Sequence, residues 1–154
     1  MNKFMKLAVA EAFKGMRKNE GGPFGAVLVR KGKVIAKGHN LVVCTNDPTA
    51  HAEITALRKA AAKLKRFDLS DCELYTSAEP CPMCFAAIHW AKMKKVYYGC
   101  TAKDAAAIGF DDKFIYDVIR GKAKKKQVRM VPLDRQECLG PFKAWQAKKD
   151  KTRY

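Results

Sequence analysis

The chain has 154 residues, 48% of them apolar, enough for one domain over residues 1–154 with a core of its own. Thirty-one Lys and Arg against fifteen Asp and Glu give a net charge of +16, which points toward a polyanion; the basic residues are scattered and lack interleaved aromatics, so a nucleic-acid partner is the minority reading. No apolar run approaches the roughly 20 residues of a membrane-spanning helix, and a chain of this size does not need its six cysteines as disulfides, so reduced thiols in the cytoplasm are expected.

Residues 3 to 18 carry Phe4, Leu7, Ala8, Ala12 and Met16 at helical spacing, with Glu11, Lys14, Arg17 and Lys18 as a polar face. This reads as an amphipathic helix, not a signal peptide. "FGAVLVR" (24–30) and "KVIAKG" (33–38) flank a Lys-Gly pair and predict a hairpin. "AHAEITALRKAAAKLK" (50–65) is rich in helix formers. A strand over 72–77, a helix over 82–92 and a strand over 94–100 follow. Next come a helix over 112–121 ending at glycine, a strand over 127–133, and a helix over 140–149 with proline in its first turn. The order predicts an α/β fold: a mixed five-stranded sheet covered by helices on both faces.

Two short stretches carry the chemistry. "PTAHAEITAL" places His51 two residues before Glu53, and "EPCPMC" places Cys81 three residues before Cys84. Catalytic zinc sites use three protein ligands and leave the fourth position to water. One helical turn brings the two sulfurs to one side, and a helix N-terminus favours thiolates. His51 supplies the third ligand. Glu53 points elsewhere and stands beside the metal as a proton carrier. Each half alone is weak: Cys-x-x-Cys also suits a redox pair or half of a structural site, for instance with His89 and Cys100. His-x-Glu followed by Pro-Cys-x-x-Cys is the signature of zinc-dependent nucleobase deaminases. The expected cofactor is therefore one Zn2+ per chain. The other four cysteines are expected as small packed residues, and His39 and His89 have no necessary role.

The chain resembles the cytidine deaminase superfamily, and within it the bacterial guanine deaminases. "GGPFGAVLV" (21–29), "TNDPTAHAEITALRKA" (45–60), "LYTSAEPCPMCFAAIHWA" (74–91), "GFDDKFIY" (109–116), "PFKAWQ" (141–146) and the final Tyr154 carry the resemblance. It implies a three-layer α/β/α sandwich and a homodimer that exchanges the C-terminal segment, about 130–154. It also implies hydrolysis of guanine to xanthine and ammonia. Under it Asn40 and Asp112 contact the base, Phe24 and Trp90 supply walls, and Tyr154 closes the site. The alternatives are a tRNA adenosine deaminase, a deaminase of another small amino-heterocycle, or a nucleic-acid-binding module with structural zinc.

Overall fold

The computed structural model describes residues 1–123 and 128–152. Helix α1 (Lys3–Arg17) starts at Asn2, whose side-chain oxygen accepts from the backbone N–H groups of Phe4 and Met5 at 2.8 and 3.3 Å. Strands β1 (Gly25–Arg30) and β2 (Lys33–His39) form the expected antiparallel hairpin. Its two-residue turn, Lys31 and Gly32, has positive φ at both positions, the geometry that matches strand twist. A one-turn helix, α2 (Val42–Thr45), leads to α3 (Ala52–Leu64). Then come β3 (Cys72–Ala78), α4 (Pro82–Trp90) and β4 (Lys95–Cys100). Three further helices complete the described chain: α5 (Ala102–Ala107), α6 (Lys113–Ile119) and α7 (Arg135–Ala147).

The strands run in the order β2-β1-β3-β4. β1 pairs antiparallel with both neighbours, and β3 pairs parallel with β4 through the α4 crossover. β1 is buried on both faces, so its alternation divides two apolar clusters rather than core from solvent. Val27 and Val29 face α1 and join Ala8 and Tyr75. Ala26 and Leu28 face α3 and α4 and join Ala56, Leu57, Leu74 and Ile88. The result is a layer of helix, a mixed sheet, and a second layer of helices.

The sheet has four strands among the described residues, not the expected five. Residue 127 lies outside the described residues, and 128–133 form no strand. Pro132 has no N–H to give to a ladder, and a lone extended segment is not stable without a neighbour. The last helix also differs. It begins at Arg135, five residues earlier than expected, and runs through Pro141. α5 was not anticipated, although Thr101 and Asp104 form a capping box at its start. Of the four cysteines expected to be packed, only Cys72 is buried; Cys44, Cys100 and Cys138 are exposed.

Candidate active site

Two helices begin at the same point. His51 is the N-cap residue of α3 and Cys81 the N-cap residue of α4, and neither makes a side-chain capping bond. Pro82 occupies the first turn of α4, where its missing N–H leaves no bond unmade. His51 Nδ1 lies 3.5 Å from Cys81 Sγ and 3.6 Å from Cys84 Sγ. The three ligand atoms sit within 4.8 Å of one another, and both sulfurs are buried. Two thiols and an imidazole converging on one point, with two positive helix ends beside them, match the donor set of a zinc ion. Among the described residues no fourth protein donor joins them. Cys100 is exposed, and His89 Nδ1 faces the Phe85 carbonyl at 2.9 Å. The site is open, as a catalytic zinc site must be.

Protonation follows from the crowding. The Cys84 thiol donates to Cys81 and, helped by His51, brings the Cys81 thiol down to about 4 despite burial. The same bond to Cys81, together with burial, pushes Cys84 up. The bond to Cys81 raises His51.

Glu53 stands in the first turn of α3, 6% exposed. Its Oε1 accepts from Thr76 Oγ1 on β3 at 3.2 Å, and its Oε2 lies 3.6 Å from Cys84 Sγ. Burial raises its carboxyl pKa, a shift toward the range where one group can both take and return a proton.

His51, Cys81 and Glu53 floor a cavity of about 260 Å³, with Cys84 buried behind them. Phe24, Asn40 and Asp112 also line it. Asn40 is buried, and its Oδ1 accepts from the Val42 N–H at 3.1 Å, which leaves the amide nitrogen as the donor toward the cavity. Asp112 is the N-cap residue of α6 yet makes no capping bond; Asp111 instead accepts from the Lys113 N–H at 2.9 Å. Burial raises the Asp112 carboxyl pKa. Phe110 and Glu79 are among the lining residues that escaped the sequence reading. Phe110 meets Phe24 edge to face, ring centroids 4.9 Å apart, and Glu79 accepts from the Ala102 N–H at 3.0 Å. Trp90 is not brought to this cavity. It is 66% exposed and lines a separate groove with Ile54, Leu57 and Phe67. Tyr154 lies outside the described residues.

The class of protein now follows. Residues 1–100 match the cytidine and deoxycytidylate deaminase zinc-binding region, and the chain belongs to that family. Within it the chain is a homologue of guanine deaminase. It is 49% identical to guanine deaminase of Bacillus subtilis (strain 168) over 151 residues, 98% of this chain and 97% of the relative. The X-ray structure of the B. subtilis guanine deaminase superposes with a TM-score of 0.93, covering 100% of this chain and 99% of that one at 49% identity. A tRNA-specific adenosine deaminase of Buchnera aphidicola is 37% identical over 88% of this chain and 86% of its own.

Proposed function

We propose that this chain is a guanine deaminase, with guanine and water as substrates and xanthine and ammonia as products. One observation carries the reading. A buried carboxylate stands beside a three-donor metal site, on the floor of a cavity whose other polar groups suit a purine edge. The near full-length similarity to guanine deaminase supports the same substrate.

His51, Cys81 and Cys84 would hold the zinc, which as a Lewis acid makes water acidic enough to react near neutral pH. Glu53 takes a proton from the attacking water and passes it to the ring nitrogen beside C2. The water oxygen bonds to C2; Glu53 then takes the second proton from the hydroxyl on C2 and gives it to the amine, the C2–N bond breaks as C2=O forms, and ammonia leaves. Each transfer returns Glu53 to its starting state. Asn40 donates to an acceptor on the base, and Asp112 accepts from a ring N–H. Phe24, braced by Phe110, presents an apolar wall that fixes the ring plane and keeps water out. Tyr154 closes the cavity from above.

The working unit is a homodimer in which the segment of about 130–154 crosses to the second copy. Val128, Met130, Val131 and Leu133 are all at least 65% exposed, and Phe142 is 73% exposed. β4 is an edge strand of the sheet. An apolar tail and an open edge are complementary features of one chain. A cytoplasmic setting suits the free thiols, and no helix among the described residues is long and apolar enough to cross a membrane.

The test is ammonia release from guanine, guanosine, adenine, cytosine, ammeline and a tRNA anticodon stem. Guanine should exceed every other arm by orders of magnitude. Turnover of the anticodon stem in its place would establish the tRNA reading that the charge of +16 favours.

A further inference from the structure

His39, at the end of β2, is buried, and nothing in the sequence gave it a role. Its Nδ1 lies 3.0 Å from Glu11 Oε2 on α1, and its Nε2 lies 2.6 Å from Glu20 Oε2 on the loop that follows. A neutral imidazole has one N–H and one bare nitrogen. A bare nitrogen facing a carboxylate would set lone pair against lone pair. With both carboxyls ionised, both contacts are hydrogen bonds only when the ring carries both protons. The other charged groups at this cluster are Lys37 of β2, 3.3 Å from Glu11 Oε1, and Lys14 of α1, 3.8 Å from Glu11 Oε2. Space for the ring comes from Gly15, where a Cβ would fall 2.5 Å from His39 Cδ2.

Glu20 is the first link to the cavity. Its carbonyl accepts from the N–H groups of Val43 and Cys44 at 3.1 and 3.2 Å. The next residue, Gly21, packs so tightly on Asn40 that a Cβ would fall 2.1 Å from its Oδ1. Asn40 in turn donates its backbone N–H to the Phe24 carbonyl at 3.1 Å. His39 thus sits next to Asn40 in sequence and holds, through Glu20, the loop that carries Phe24 and presses on the Asn40 side chain.

We infer that His39, as an imidazolium bonded to Glu11 and Glu20 at once, is a positioning residue that sets Asn40 and Phe24 for the base. The inference rests on the cavity being the base site. His39→Gln cannot bridge two carboxylates as the flat ring does. It should raise KM for guanine about tenfold, with kcat and zinc content changing less. Glu20→Ala, which removes the carboxylate on Nε2, should raise KM for guanine in the same way, and Glu20→Gln, whose amide oxygen can still accept from that ring nitrogen, should recover most of the loss. Long-range 15N NMR of the imidazole should show two ring N–H groups on His39 at neutral pH. A single ring N–H there, or a KM for Glu20→Ala equal to that of the parent, overturns the clamp. Absence of ammonia from guanine in the parent would instead sink the base-site reading, and the ring protons alone would then decide whether the clamp exists.

Discussion

Thr76 Oγ1, on the central part of β3, donates to Glu53 Oε1 across 3.2 Å, and both residues are buried. The sheet therefore aims the carboxylate, since α3 alone leaves its rotamer open. Replacing Thr76 by Val keeps the shape and removes the one side-chain donor to that oxygen among the described residues. Such a loss costs roughly 1 kcal/mol. In Thr76→Val, kcat should fall about tenfold, with zinc content unchanged and KM little altered. Metal analysis and steady-state kinetics on one preparation test this; an unchanged kcat would mean Glu53 is oriented by the helix alone.

Glu53→Ala removes the proposed proton carrier and leaves all three metal donors in place. Zinc should remain stoichiometric, while turnover drops by about 10²–10⁴, the range for a positioned acid–base group. A variant that keeps near-parental turnover would assign the proton transfers to another group.

Chelation should destabilise the protein, because the ion binds the folded trio and an unfolded chain has no such site. Thermal unfolding followed with and without chelator should show a lower Tm in the stripped sample, restored by added zinc. In Cys81→Ser and His51→Ala the restoration should be weak. Equal Tm values in the two samples of the parent would show that the trio holds no ion tightly.

Asp71 ties the end of β1 to the segment after α3, with Arg30 Nε at 2.7 Å and Arg66 also bonded to it. The Arg30 hydrogen bond leads in holding its carboxyl down to about 2, against the ordinary 3.8. A depressed folded-state value means that the stabilisation is fully present above about pH 4. It is lost as pH falls toward about 2. Asp71→Asn should therefore lower Tm near neutral pH, and the gap to the parent should close between those two values. A gap that is constant with pH would trace to packing instead of charge.

The chemistry was legible in the sequence where it depended on near neighbours along the chain. His51 with Glu53, and Cys81 with Cys84, are local patterns that two helix starts bring into register. The partners of those residues were not legible. Thr76 reads as an ordinary β-former in "LYTS", and only strand order brings it under α3. His39 needed two carboxylates at positions 11 and 20, which helix α1 and the loop after it deliver separately. Trp90 could not be assigned a side from sequence, because α4 is apolar on nearly every face and no polar stripe marks its orientation. The fifth strand failed for a related reason. The residue pattern of 127–133 is β-like, but a strand exists only beside a partner, and the described single chain gives it none.

That missing partner leads to the last prediction. α7 has no buried residue, although it carries Phe142 and Trp145, 73% and 44% exposed. The segment before it displays Val128, Met130, Val131 and Leu133. Burying such side chains yields about 25 cal/mol per Å² of apolar surface, too much to leave in water without a partner. Among the described residues, the outer edge of β4 has no paired strand, and Tyr97 and Tyr98 on it are half exposed. A second copy of the chain would supply both a tail for this edge and an edge for this tail, and two-fold symmetry would satisfy both at once. Sedimentation should therefore report a dimer at micromolar concentration, and Tm should rise with protein concentration. Met130→Asp with Val131→Asp should shift the sedimentation coefficient to that of a monomer, with zinc retained on His51, Cys81 and Cys84. Removing residues 150–154 should do the opposite, keeping dimer and zinc while cutting guanine turnover severely, since the removed piece carries Tyr154, the residue proposed to close the cavity. A parent protein that stays monomeric at high concentration would overturn the exchange, and an unimpaired truncation would leave the cavity open to a larger substrate.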